Sequence, residues 1–204
     1  MDEDPDYKVI FLGNSGVGKT QLINSLLGNE FDTNILATTN TNYSSKYIKI
    51  KKKNYKLNLW DTAGQEIYRA ITSLFIKGSV IVVFVYDITN KNSYDDLEFW
   101  IQKAQDVLQN QCIYAIVGNK IDLFFEQKIQ EDTAKNLAES KNFFFKQLTA
   151  KCAPKDVNDF INMLFEKYID KFGEKKDKKN IKINKKSSKS NNCCHNSKLK
   201  LKKI

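Results

Sequence analysis

The 204-residue sequence predicts an α/β fold, a mostly parallel six-stranded sheet flanked by helices. Three observations predict it. Apolar runs of strand length alternate with stretches of helical period as far as Phe172, the order expected of strand–helix–strand units. Two of those runs, Val80 to Tyr86 and Ile113 to Val117, are continuously apolar, as strands covered on both faces must be. A glycine-rich turn, GNSGVGKT from Gly13 to Thr20, stands between the first apolar run and the first helical stretch.

In chain order, Val9 to Leu12 is the first strand, and Gln21 to Leu27 continues as a helix after the turn. Residues 28–42 are polar and show neither period; a loop of that length usually marks function or mobility. Tyr43 to Ile50 and Tyr55 to Trp60 read as two strands of a hairpin that turns at Lys52, Lys53 and Asn54. Val80 to Tyr86 is the fourth strand. Tyr94, Leu97, Trp100, Ile101, Ala104 and Leu108 then step at helical spacing. Ile113 to Val117 is the fifth strand, Glu131 to Ser140 a helix, and Phe143 to Phe145 opens the sixth strand. The last helix carries Val157, Phe160, Ile161, Leu164, Phe165, Tyr168, Ile169 and Phe172 on one face, with Pro154 near its start and Gly173 past its end.

The charge is unevenly spread. Twelve lysines follow Gly173 against two acids, so the formal net charge of +9 belongs to the tail and the rest is near neutral. That predicts a domain over 1–173 and a disordered basic tail over 174–204, rich in Lys, Asn and Ser. The domain offers no basic face for nucleic acid, whereas the tail suits an anionic surface. The four cysteines form no spaced framework, and no secretory or membrane-spanning run is evident, which predicts a cytosolic protein with free thiols.

Three motifs carry the chemistry. GNSGVGKT matches G-x-x-x-x-G-K-[ST]: Gly13, Gly16 and Gly18 free the backbone so that successive N–H groups face a phosphate. The following helix adds its positive end, Lys19 reaches the outer phosphates and Thr20 holds Mg2+. DTAGQE, Asp61 to Glu66, follows a strand: Asp61 suits the metal, Gly64 a close backbone approach to the terminal phosphate, and Gln65 an attacking water. In GNKID, Gly118 to Asp122, the Asp122 carboxylate accepts from the N1–H and amine of guanine, whereas adenine opposes it with a lone pair. Lys120 can lie along the base and hold the phosphate loop, and Asn119 can tie neighbouring loops together. Asp122 therefore argues against an ATPase or kinase.

These motifs, with WDTAGQE (Trp60 to Glu66), YDIT (Tyr86 to Thr89) and a cysteine pair in a basic tail, resemble the small GTPases of the Ras superfamily, most closely the Rab branch. The resemblance spans about Tyr7 to Phe172 and implies a G-domain of the P-loop type that binds GTP and GDP with Mg2+. It implies that Ser15, Gly16, Val17, Gly18, Lys19, Thr20 and Gln21 contact the nucleotide, with Phe31 edge-on to guanine. It further implies that Thr38 binds the metal with Thr20 and Asp61 and senses the third phosphate. Thr149-Ala150-Lys151 matches the S-A-K segment at the guanine oxygen, with Thr for the usual Ser. Tyr43, Trp60 and Phe75 match an aromatic triad read by effectors; sheet or core packing is the other reading of Trp60 and Phe75.

The chain also departs from the pattern. Its first switch reads Thr38-Thr39-Asn40-Thr41-Asn42-Tyr43 where T-I-G-V-D-F is usual, so Thr39 is an alternative to Thr38. Ile67-Tyr68 replaces the usual R-F, and Ser15 stands where Ras proper has glycine. The single arginine, Arg69, matches a switch residue and not a catalytic finger, so a GTPase-activating partner is expected. Cys193 and Cys194 resemble a prenylated end, but ten residues follow them, which leaves prenylation, palmitoylation or free thiols open. The resemblance implies a monomer with effectors, an exchange factor and a GDP-dissociation inhibitor, peripheral on the cytosolic face of intracellular membranes. The alternative is a nucleotide-bound interaction protein that scarcely hydrolyses GTP.

Overall fold

The computed structural model describes residues 5–34, 38, 41–62 and 72–175. Six strands, β1 (Asp6–Leu12), β2 (Asn42–Ile50), β3 (Lys53–Asp61), β4 (Ser79–Asp87), β5 (Ile113–Asn119) and β6 (Phe144–Gln147), form one sheet in the order β2-β3-β1-β4-β5-β6. β2 pairs antiparallel with β3, and every other pairing is parallel. The helices are α1 (Lys19–Leu27), α2 (Thr72–Ile76), α3 (Lys91–Asp95), α4 (Leu97–Leu108), α5 (Glu131–Ser140) and α6 (Pro154–Phe172), and a 3-10 turn covers Ile121–Glu126.

Period-two alternation sorts the strands onto two cores. Val9 and Phe11 of β1, with Ile81, Val83 and Val85 of β4, pack with α1 and α6. Ile10 and Leu12, with Val82, Phe84 and Tyr86, pack on the other face with α2, α4 and α5. All nine residues of β4 and all seven of β5 are buried, which explains why their sequences do not alternate. Parallel strands place their carboxyl ends together at one edge of the sheet, and the strand order reverses across β1, between β3 and β4. The functional loops leave from that edge.

Two local expectations change. The hairpin turns at Lys51 and Lys52, because Ile50 pairs with Lys53. Both turn residues adopt positive φ, 48° and 71°, at a cost of roughly 1 kcal/mol each for side chains with a Cβ. Pairing of the β2 and β3 apolar positions sets this register and overrides the turn preference of Asn54. The helical period from Tyr94 is broken at Asp96: Tyr94 lies on α3, whose Asn90 cap accepts from the Asn92 N–H, and α4 starts afresh. Contacts with the sheet continue two residues past Gly173. Tyr55 Oη donates to Glu174 at 2.7 Å, Lys53 pairs with the same carboxylate, and the Lys175 N–H donates to Tyr7 Oη at 3.0 Å.

Candidate functional site

β1 runs straight into the glycine loop. Gly13 takes φ +146° because the loop crosses β4 closely: a Cβ there would lie 2.2 Å from the Val85 carbonyl oxygen. Gly18 takes φ +95°, and a Cβ would lie 2.3 Å from Asn119 Nδ2. That amide donates to the Val17 carbonyl at 2.9 Å, so the end of β5 grips the loop. Lys19 starts α1 and is only 6% exposed. Its Nζ donates to the Gly13 and Asn14 carbonyls at 2.9 and 2.8 Å. Burial pulls its pKa down to about 8, against the pull of the Asp61 charge.

At the next residue, Thr20 Oγ1 donates to Asp61 Oδ2 at 2.7 Å and lies 2.8 Å from Thr38 Oγ1. Thr38 Oγ1 is itself 3.3 Å from the same carboxylate oxygen. Burial raises the Asp61 pKa, while the Thr20 hydrogen bond and the Lys19 charge oppose the rise. Asp61 Oδ1 is buried with no hydrogen-bond partner among the described residues. Two hydroxyls and a carboxylate with an orphaned oxygen are hard donors, the small protein share that Mg2+ takes beside phosphate oxygens. The residues present fit that ion.

At the far end of the same cavity, Asp122 Oδ1 accepts from Thr149 Oγ1 at 2.6 Å, and Thr149 Oγ1 accepts from the Lys151 N–H at 3.1 Å. One buried hydroxyl thus joins the loop after β5 to the loop after β6. Lys120 takes a left-handed φ of 69° and sends Nζ to the buried Asp87 carboxylate at 2.6 Å. Lys120 is therefore held by the end of β4, not by the phosphate loop; that contact belongs to Asn119. The cavity measures about 450 Å³ and is walled by Ser15, Gly16, Gly18, Lys19, Thr20, Gln21, Phe31, Thr38, Asn119, Lys120, Asp122, Thr149, Ala150 and Lys151, together with Asp32, Thr33 and Leu123. Val17 is not in that wall: its side chain is buried and its carbonyl takes the Asn119 amide.

The family model described as "Ras family" matches residues 8–171. The chain belongs to the Ras family. Ras-related protein RABA1g of Arabidopsis thaliana is 36% identical over 169 residues, covering 82% of this chain and 78% of its own length. Ras-related protein RGP2 of Oryza sativa subsp. japonica is 35% identical over 162 residues, with shares of 79% and 75%. Ras-related protein Rab11B of Nicotiana tabacum is 36% identical over 169 residues, with shares of 82% and 78%. This Ras-family chain is a Rab-like small GTPase, an enzyme that binds guanine nucleotide and hydrolyses GTP. The reading as a nucleotide-bound protein without turnover is not favoured by these relatives.

Outside the cavity of this Rab-like GTPase, Tyr43 stacks on Trp60 with centroids 5.3 Å apart, and Trp60 meets Phe75 at 6.2 Å. Tyr43 is 61% exposed, while Trp60 and Phe75 are half-buried against the core beneath them. Lys8 Nζ sits 3.8 Å from the Trp60 ring centroid, a cation–π contact of about 0.5–1 kcal/mol. Gly64, Gln65, Thr39, Asn40, Ile67, Tyr68, Arg69, Cys193 and Cys194 lie outside the described residues.

Four side chains at the site went unread in the sequence. Asp87 holds Lys120, Asp32 and Thr33 line the wall beside Phe31, and Asn14 reaches from the phosphate loop to α4. Asn14 fills a variable position of the motif, so no pattern flags it. Asp87 lies in the YDIT segment, which marks the position but not its partner.

Proposed function

We propose that this Ras-family GTPase is a Rab-like switch that cycles between GTP- and GDP-bound states with Mg2+ and recruits effectors in vesicle and membrane trafficking. The observation that carries the reading is Asp122, anchored by Thr149 at the end of the cavity opposite Lys19. A carboxylate fixed there accepts both hydrogens of the guanine edge, while Phe31 covers the base and Ala150 and Lys151 present backbone to its oxygen. Lys120 and Asn119 hold the surrounding loops to β4 and to the phosphate loop.

At the other end, Ser15, Gly16, Val17 and Gly18 supply backbone donors, and Lys19 offers its ammonium to the outer phosphates. Thr20, Thr38 and Asp61 would hold Mg2+, which when bound neutralises charge on those phosphates. Gly64 approaches the terminal phosphate and Gln65 orients the attacking water. No arginine of this chain is assigned as a finger, so a GTPase-activating partner supplies one and raises the rate by roughly 10³–10⁵. Loss of the third phosphate frees Thr38 and with it the first switch, the order–disorder device of such proteins.

Effectors read Tyr43, Trp60 and Phe75, and the monomer also meets an exchange factor and a GDP-dissociation inhibitor. No described helix is long and apolar enough to cross a membrane. Attachment to the cytosolic face of intracellular membranes falls instead to the basic segment 174–204 beyond domain 1–173, through its lysines and a lipid on Cys193 or Cys194. Nucleic acid is not a partner in this reading.

The test is a pair of substitutions. Asp122→Asn moves the preference from guanine toward xanthine nucleotides, and Gln65→Leu slows single-turnover hydrolysis of bound GTP. An unchanged base preference removes the assignment of Asp122, and equal hydrolysis rates remove that of Gln65.

A further inference from the structure

The phosphate loop is tied to the protein by a side chain that the motif leaves free. Asn14 Nδ2 donates to Asp96 Oδ2 at 2.7 Å, and Asn14 Oδ1 accepts from the indole Nε1–H of Trp100 at 2.9 Å. The partners dictate the orientation of the amide: a carboxylate can only accept and an indole can only donate. Asp96 is the residue before α4, and Trp100 sits one turn further on the same face, 1% exposed. The carbonyl of Asn14 is also one of the two that hold Lys19. A single residue therefore grips the lysine with its backbone and α4 with its side chain.

The anchor is built into the core. Trp100 and Leu97 lie in the core that also buries Ile76 of α2, and Asp96 and Trp100 are joined by backbone as the first turn of α4. The segment from β4 to α4 thus supports both ends of the cavity. Asp87 holds Lys120 at the base end, and Asp96 holds Asn14 at the phosphate end.

We propose that Asn14 is a positioning residue for nucleotide retention: its bridge to Asp96 and Trp100 fixes the loop carbonyls that place Lys19. The proposal rests on the cavity being a guanine nucleotide site. Asn14 supplies a donor and an acceptor at once, which a carboxylate at the same position cannot do. Asn14→Asp keeps the bond from Trp100 but sets a second carboxylate against Asp96. Asp96→Asn alone keeps the bond to Asn14, because its amide oxygen still accepts from Asn14. With both changes the donor and acceptor are exchanged and the bridge re-forms.

The test is a double-mutant cycle on the full chain, reading release of a fluorescent GDP analogue, single-turnover GTP hydrolysis and the thermal midpoint in excess GDP. Asn14→Asp is expected to release nucleotide about tenfold faster. Asp96→Asn should release nucleotide more slowly than Asn14→Asp, and the double variant should return to the rate of Asp96→Asn alone. Asn14→Ser breaks the bridge without adding charge; it should speed release several-fold, with the midpoint falling by no more than the few degrees that the weaker hold on GDP accounts for. That variant separates positioning from general stability and keeps the test decisive should Asn14→Asp not fold. Wild-type release in Asn14→Ser, or a double variant as fast as Asn14→Asp, overturns the proposal. Failure of the wild type itself to retain guanine nucleotide would instead remove the reading on which the proposal stands.

Discussion

Replacing Thr149 by valine deletes one hydroxyl and keeps the shape of a buried side chain. The hydroxyl donates to Asp122 at 2.6 Å and accepts from the Lys151 N–H at 3.1 Å, so its loss unties two loops at the base end of the cavity. A hydrogen bond to a charged acceptor contributes about 1.5–3 kcal/mol. Asp122 is half-buried and water partly replaces the donor, which brings the expected loss to about 1–2 kcal/mol. At 1.4 kcal/mol per decade, GDP binding weakens by roughly 5- to 30-fold. Stopped-flow displacement of a fluorescent GDP analogue reads the change, most of it as faster release. Thr149→Ser keeps the hydroxyl and should stay within about twofold of wild type. Equal release from the valine variant and wild type, or equal damage from serine and valine, would refute the assignment of Thr149 as the support of Asp122.

Two further outcomes follow from the same geometry. Gly13→Ala forces a Cβ to within 2.2 Å of the Val85 carbonyl oxygen from a left-handed backbone, so backbone must move. The cost is at least ~2 kcal/mol, a fall of about 4–8 °C in the thermal midpoint with GDP present; an unchanged midpoint contradicts the close crossing of loop and β4. At the opposite end of the sheet, hydrogen bonds from Lys53 and Tyr55 lower the Glu174 pKa from its ordinary 4.5. A lowered carboxylate pKa stabilises the fold above the ordinary value, and that stability is lost as pH falls through the folded-state value. Glu174→Gln should therefore differ from wild type near neutrality and converge with it in acid. Parallel curves across pH 3–7, roughly the carboxylate range, count against the tether.

The sequence was most informative where the backbone has strict local needs. The helix from Glu131 to Ser140 and the one from Pro154 to Phe172 have the bounds their periodicity and end residues indicate. Strands β3, β4 and β5 run past their apolar residues, because Asp61, Asp87 and Asn119 end them while serving the cavity edge. The spacing of glycines around Lys19 records a loop that must pass beneath other strands, and the motif order after β1, β3 and β5 indicates a guanine nucleotide site.

Pairings between distant side chains were not readable in the same way. Nothing local in Asn14 points to Asp96 or Trp100, more than eighty residues away, nor does Lys120 reveal that Asp87 takes it. The turn at Lys51 and Lys52 was likewise decided by strand pairing against the preference of its own residues. Residue patterns carried the fold and the chemistry of the cavity, because backbone conformation and phosphate binding depend on neighbours along the chain. The supports that hold each functional group in place emerged only when parallel strands brought their carboxyl ends together, because a hydrogen bond depends on distance in space and not on separation in sequence.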